Sequence, residues 1–168
     1  MAIDATALGV LAASPAVLRA LFDAATADAI ERPDSDGWSA RDVLAHIIDV
    51  DEGVTSARIE RIIAEHAPFI RSIDPHERLR EGGYAGRSVD ELLAQLERRR
   101  PERVERLRRL GEEELQRFGL HDEAGEISAS DIAHQWAYHD LMHIAQIASM
   151  LQATLVERMG NTRKFYDI

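Results

Sequence analysis

Three histidines in this sequence have the spacing that a shared metal ion requires. His139 and His143 lie four residues apart, so on a helix they project from the same face, one turn apart. His46 lies far upstream on an apolar helical stripe, between Val43 and Val50. Three imidazoles on the inward faces of two helices could converge on one divalent cation. Such a set leaves one or more coordination positions for water or substrate, as catalytic metal sites do.

A structural role competes with metal binding at these positions. A single histidine on an apolar face, such as His46 taken alone, is more often a core residue that is hydrogen-bonded through one nitrogen. The pair of His139 and His143 favours metal binding more strongly, because two adjacent buried imidazoles lose hydration unless something satisfies their nitrogens. We expect the remaining histidines to be exposed or to lie on other helix faces: His66, His76, His121 and His134.

Two polar residues are candidates for holding the imidazoles in place. Asp49 lies one turn beyond His46, and Gln146 lies one turn beyond His143. At that spacing either side chain could hydrogen-bond an imidazole or a bound ligand, which is how residues around a metal site usually orient its ligands. The spacing assigns no catalytic acid or base.

Asp140 follows His139 directly, but it projects about 100° away around the helix. We therefore expect it to form a salt bridge on the helix surface, with Arg58 or Arg61 as its partner. Residues 139–143 superficially match the HExxH pattern of zinc proteases, but an aspartate replaces the glutamate and is one methylene too short for the usual base. Protease chemistry is therefore disfavoured.

The composition predicts one acidic globular domain over residues 1–168. The chain has 168 residues, 45% of them hydrophobic, with 20 lysines and arginines against 30 aspartates and glutamates and a formal net charge of −10. This length and composition suit a single domain with its own core. An acidic surface disfavours nucleic acid as a partner, because phosphate binding needs clustered cations. The arginines of residues 98–109 alternate with glutamates, so we expect a solvated helix face there.

The sequence contains no cysteine, which excludes cysteine-ligated zinc, iron–sulfur clusters and a thiol nucleophile of the protein's own. Its first residues include an aspartate, Asp4, before any basic residue, and the apolar stretch of residues 8–13 is short. We therefore expect neither a secretory signal nor a membrane span, and a cytoplasmic protein.

The elements that must position the histidines are four amphipathic helices. Serines at apparent helix starts, with an acidic residue three positions on, predict the second, third and fourth helices, and Ser14 with Pro15 predicts the start of the first. The predicted helices cover residues 15–30, 39–64, 88–110 and 128–155, with a kink near Pro101. A connector covers residues 68–87, residues 111–126 are expected to be a polar loop, and little in the sequence indicates strand. The fold class is therefore all-α, a four-helix bundle.

Two segments of the sequence resemble the signatures of a known family. Residues 37–46, with the sequence GWSARDVLAH, and residues 139–147, HDLMHIAQI, resemble those of the DinB-like (YfiT-like) superfamily, in the same order and at a similar separation. The resemblance covers about residues 10–150. It implies a four-helix bundle with a long connector between helices 2 and 3. It also implies a divalent metal, nickel or zinc, held by His46, His139 and His143.

The resemblance further implies a function. Relatives use the metal to activate a low-molecular-weight thiol such as bacillithiol or mycothiol, for S-transfer or for maleylpyruvate isomerisation. We therefore expect a metal-dependent enzyme that transfers an external thiol to an electrophilic small molecule. A metal-dependent hydrolase and a non-catalytic metal- or ligand-binding module of a stress response are the alternatives. Relatives often dimerise, so a homodimer is also expected.

Overall fold

Four long helical segments form the bundle that the sequence predicts. The computed structural model describes residues 2–166. Short elements lie between the long helical segments, so the element numbers run beyond four. In chain order the elements are α1 (Ala5–Asp23), α2 (Ala27–Glu31), α3 (Ala40–Asp49), a π-helical segment (Val50–Thr55), α4 (Ser56–Ala64), β1 (Phe69–Ile70), α5 (Pro75–Glu81), α6 (Val89–Arg108), α7 (Glu112–Gln116), β2 (Phe118–His121), β3 (Gly125–Ser128), α8 (Ala129–Ala153) and two 3₁₀ segments (Val156–Arg158 and Gly160–Phe165).

The bundle has four members: α1, a continuous segment made of α3, the π-helical segment and α4, then α6, and finally α8. Helix α1 packs against α6 and α8, and α3 packs against the same two helices. Three of these segments begin at the serines that the sequence predicts. Each serine side chain accepts a hydrogen bond from the backbone three residues on, and the acidic side chain there accepts one from the serine amide: Ser39 with Asp42, Ser88 with Glu91, and Ser128 with Asp131.

Helix α1 differs from the prediction at both ends. It begins at Ala5, with Asp4 accepting a hydrogen bond from the amide of Thr6, and it ends at Asp23. The predicted helix start at Ser14 is therefore wrong, because Ser14 lies inside the helix and donates its hydroxyl hydrogen bond to the Val10 carbonyl. A serine followed by proline is typical of a helix start, but the same pair is tolerated within a helix when another donor satisfies the carbonyl that proline leaves free.

That donor is present here. Proline has no amide hydrogen, so Pro15 leaves the carbonyl of Leu11 without its helical partner. The guanidinium of Arg100 on α6 donates to this carbonyl at 3.4 Å. The proline in the middle of α1 is thereby accommodated by a side chain from a neighbouring helix.

Helix α1 is also long and apolar enough, by length and composition alone, to cross a membrane. The core helix of a soluble protein meets the same criteria, so this is weak evidence for a span. Leu11, Leu18 and Phe22 are buried in the core clusters of the bundle. The one charged residue of α1 between Ala5 and Ala20 is Arg19, which is half-buried and pairs with Asp90 and Glu97 on α6.

A small sheet occupies segments that the sequence does not predict as strand. Strand β1 pairs with β2 in parallel, and β2 pairs with β3 in an antiparallel arrangement. β1 lies in the connector, whereas β2 and β3 lie in the segment expected to be a polar loop, so both expectations miss structure. The strands have two to four residues, too few to show the alternation of apolar and polar residues that predicts a strand. The sheet joins the end of α4 to the start of α8.

A buried group of ion pairs crosses the bundle between α6, α8 and the π-helical segment. Arg100 is 1% exposed and pairs with Asp51, Nε to Oδ1 at 2.7 Å, and with Asp140, which is completely buried. Arg103 also pairs with Asp51. The expected surface salt bridge of Asp140 is therefore wrong, and so is the solvated face at Arg100 and Arg103. These four residues are called the buried ion-pair group below.

The spacing of neighbouring residues explains both errors. Leu96 and Val104 lie four residues before and after Arg100, and both are buried, so Arg100 occupies the apolar stripe of α6. Trp136 lies four residues before Asp140 in the same way. Each charged residue therefore points into the core along with its apolar neighbours, where burial of a charge requires a charged partner.

We predict that replacing Arg100 with methionine lowers the free energy of unfolding by about 3–5 kcal/mol, because Asp51 and Asp140 then lose their shared buried partner. Urea unfolding of the metal-free protein measures the change. Arg98→Met is the matched control: Arg98 is exposed on the same helix, and we expect a change within about 0.5 kcal/mol. Equal effects of the two substitutions would contradict the assigned role of Arg100.

Candidate metal centre

The structure brings the three predicted histidines together. His46 projects from α3, and His139 and His143 project from α8. The Nε2 atom of His139 lies 3.1 Å from the Nε2 atom of His46 and 3.1 Å from that of His143. One ligand atom from each ring can be chosen such that all three lie within 4.8 Å of one another, so this group could hold a metal ion.

Burial keeps the imidazoles neutral. His46 is 7% exposed and His143 is 9% exposed. Loss of hydration, with a smaller contribution from the neighbouring His143, lowers the pKa of His46 to about 4. The same causes lower the pKa of His139 to about 3, and burial also lowers that of His143. The lowered pKa values favour the neutral form of all three rings at neutral pH, in which one ring nitrogen has a free lone pair for a metal ion.

The hydrogen bonding of these rings fits a metal ion. Three Nε2 atoms face a common point, and a neutral imidazole that accepts at this nitrogen has no proton to donate there. The Nδ1 atoms of His46 and His139 are buried and have no hydrogen-bond partner within residues 2–166. A divalent cation accepts three imidazole lone pairs at once, and zinc and nickel both take such ligands.

Gln146 lies where the sequence prediction requires it. Its Oε1 atom is 2.8 Å from Nδ1 of His143, so the imidazole N–H donates to the amide oxygen and Nε2 keeps its lone pair. The amide of Gln146 in turn donates to Asp34 at 3.4 Å. This chain of contacts fixes the orientation of the His143 ring.

Asp49 lies in a different environment from the one predicted. Its carboxylate accepts hydrogen bonds from Arg78, at 2.5 and 2.9 Å, and from the Tyr84 hydroxyl at 3.4 Å. Within the described part of the chain it makes no hydrogen bond to His46, although its charge partly offsets the lowering of the pKa of His46. Arg78 can approach because Gly53 has no side chain. A Cβ atom at this position would lie only 2.4 Å from the Nη2 atom of Arg78. The sequence alone did not reveal this arginine as a competing partner.

A π-helical turn directly after α3 separates the two polar environments of this helix. Within it the Thr55 hydroxyl donates to the carbonyl of Val50 at 2.9 Å, which spans the wider turn. Asp49 and Asp51 flank the start of the turn and are both buried. Asp49 turns to Arg78, whereas Asp51 turns to the buried ion-pair group.

A cavity of about 420 Å³ lies over two of the histidines. The ring of Trp38 stands edge-on to His46, with centroids 5.4 Å apart, and its Nε1 atom donates to Nε2 of His76 at 3.3 Å. The lining residues of the cavity are Asp36, Trp38, His46, Pro75, His76, His143 and Gln146. The opening is of a size that admits a small molecule.

His76 is exposed, as expected, but it also lines this cavity, which the sequence analysis missed. Asp74 followed by Pro75 is a helix-start signal in the sequence, and it would have placed His76 in the first turn of a short helix, α5. The other histidines stay apart from the centre. His134 contacts the carbonyl of Ser130, and His121 accepts from backbone amides at residues 123 and 124.

Comparisons with known proteins agree with this architecture. Among solved structures the chain is similar to YfiT from Bacillus subtilis, described as a probable metal-dependent hydrolase with an unusual four-helix bundle topology. The two chains are 23% identical, the TM-score is 0.78, and the match covers 92% of this chain and 86% of that one. A search of curated proteins finds no match. The family model of the DinB superfamily matches residues 11–147, and because this is most of the chain, the protein belongs to the DinB superfamily.

Proposed function

We propose that the protein is a metal-dependent enzyme that binds one zinc or nickel ion through His46, His139 and His143. The observation that carries this proposal is the convergence of three neutral imidazoles, with Nε2 of His139 3.1 Å from Nε2 of both His46 and His143, beside a cavity open to small molecules. Three protein ligands leave room for a further ligand from the cavity.

The proposed reaction is transfer of a low-molecular-weight thiol to an electrophilic substrate. A bound divalent cation lowers the pKa of a thiol, so that the nucleophilic thiolate forms at neutral pH. The thiol must come from outside, because the chain has no cysteine. Gln146 orients His143, while Trp38 and His76 form the wall against which a substrate would rest.

A metal-dependent hydrolase is the second candidate, and the description of the structurally similar YfiT favours it. The position of Asp140 argues against the version that uses an HExxH-type base. Asp140 is completely buried and paired with Arg100, so it is not available to remove a proton in the cavity. Asp36 is the one carboxylate among the described residues that line the cavity.

We expect purified, untagged protein to hold about one metal ion per chain by elemental analysis. His46→Ala, His139→Ala and His143→Ala should each remove most of it, whereas His134→Ala should not. Gln146→Leu should weaken metal binding about 10- to 100-fold, because the His143 imidazole loses its acceptor. Gln135→Leu, an exposed site on the same helix, is the control. Unchanged metal content in the three alanine variants would refute the assignment.

We predict that the metal-loaded protein accelerates the reaction of a thiol with monochlorobimane. The thiolate sulfur displaces chloride, and the thiol proton passes to the buffer. Bacillithiol, mycothiol, glutathione and coenzyme A are assayed in parallel by bimane fluorescence, with His139→Ala as the control. If no thiol reacts faster with the metal-loaded protein than with this variant, the transfer reaction is wrong. Metal-dependent cleavage of model esters would then support the hydrolase.

We also propose that the protein forms a homodimer through α1 and α8. The exposed residues of these neighbouring helices include few charges, Asp23 and Asp131 near the helix ends, in a chain with 30% charged residues. Tyr138, Leu141 and Met142 are 45–70% exposed on α8. The exposed residues of α1 are mostly small: Ala5, Gly9, Ala12, Ala13, Ala16 and Ala20. Under twofold symmetry the large side chains of one copy face the small ones of the other, which gives a self-complementary contact.

Analytical ultracentrifugation tests the dimer. We expect the wild type to sediment as a dimer, and Leu141→Glu to sediment as a monomer at the same concentration, because the substitution buries charge at the contact. Ala94→Glu, an exposed site on α6, should leave the dimer intact. A monomeric wild type would overturn the proposal. Binding of such a monomer to lipid vesicles through α1 would not rescue it.

A further inference from the structure

The rim of the cavity over the histidines carries negative charge. Asp36 is exposed and lines the cavity directly. Asp34, two residues earlier, is held in place because it accepts hydrogen bonds from the backbone amides of Asp36 and Trp38, at 2.9 and 3.0 Å, and from Gln146. The Asp34 carboxylate is thus fixed beside the candidate metal centre through Gln146, and Asp36 follows it in the same loop.

A third carboxylate lies beside the cavity lining, at the start of α5. Asp74 caps α5 immediately before Pro75, which lines the cavity, and it accepts hydrogen bonds from the amides of His76 and Glu77 at 2.8 and 3.2 Å. Two separate segments, the loop before α3 and the start of α5, thus place carboxylates at or beside the lining of the cavity.

No arginine or lysine lines the cavity in the part of the chain that the structure describes. Arg78, whose charge contributes to the lowered pKa of His46, is bound by Asp49. Arg41 donates to the backbone carbonyls of Tyr84 and Arg87. Arg80 is exposed one turn beyond His76, outside the lining. A carboxylate or phosphate on a ligand would therefore meet no cationic side chain in this lining, and an ion held by the histidines would be the positive charge left to partner it.

Trp38 adds a second reason for a charge preference. Its indole lines the cavity, and the face of an indole attracts cations. We propose that this cavity selects neutral or positively charged small molecules and disfavours anionic ones. The inference rests on the proposed function in taking this cavity as the substrate site. It assigns the substrate class as a thiol or electrophile that is uncharged or carries an amine, in preference to one with several carboxylates or phosphates.

Fluorescence quenching of Trp38 tests the charge directly and needs neither metal nor substrate. The chain has two tryptophans, and the other, Trp136, is 1% exposed, so added quenchers report on Trp38. We expect iodide to quench weakly relative to neutral acrylamide. Asp36→Lys should raise the ratio of iodide quenching to acrylamide quenching about two- to fivefold, because the variant replaces repulsion of iodide with attraction. Asp36→Asn should raise this ratio less, because it only removes the repulsion.

Glu113→Lys is the matched control, because it changes the net charge equally at an exposed site on α7. If Asp36→Lys and Glu113→Lys have the same effect, the proposal is wrong, because the repulsion would then come from the whole protein. Asp36→Lys also removes the salt dependence of the ratio if the rim charge is responsible.

A second measurement uses cobalt-loaded protein and follows the thiolate charge-transfer band. We expect 2-mercaptoethanol to bind more tightly than 3-mercaptopropionate, and Asp36→Lys to reduce this preference about threefold or more. An unchanged preference would overturn the charge selection at the metal. Absence of the band with both thiols would instead refute the proposed thiol chemistry, and the quenching ratio would still decide the charge of the cavity.

Discussion

The core of this bundle is divided by a layer of polar side chains, and each buried charge in that layer must have a charged partner. One apolar cluster includes Leu11, Val104 and Trp136, and the other includes Leu18, Leu96 and Ile147. Between them lie the histidines, the buried ion-pair group and the proline-freed carbonyl of α1. Buried charge is costly unless it is paired, so Arg100, Asp51 and Asp140 hold three bundle segments in one register. Because His139 adjoins Asp140, that register also sets the position of the imidazoles.

Helix α8 serves both parts of this layer, and the geometry of a helix allows it to do so. Asp140 points to α6, while His139 and His143 point to α3. On the facing segment, Asp49 at the end of α3 and Asp51 in the π-helical turn pair with different arginines. An uninterrupted α-helix would place the residues within and after the turn in another register. The wider turn thus lets the same helix supply a candidate metal ligand and a buried carboxylate a short distance later.

The sequence predicted the bundle, three helix starts and the meeting of the histidines, because each of these depends on local spacing. Ser39, Ser88 and Ser128 act within one helical turn, and His139 and His143 are one turn apart. The errors concern partners that are distant in sequence. Ser14 and Pro15 indicate a helix start until Arg100 is known to satisfy the Leu11 carbonyl. Asp49 has an imidazole one turn away, but Arg78 offers it charge, so the ion pair forms instead.

The long connector explains how a rigid bundle gains a site open to a small molecule. The three histidines come from helices whose packing is fixed by the core, so they form a rigid base for the cavity. The wall comes from Trp38, at the start of the second bundle segment, and from His76 on α5. Their contact across the cavity joins the connector to this base. Changes of sequence in α5 can therefore alter the wall of the cavity without disturbing the histidines, which separates the shape of the cavity from the candidate metal ligands.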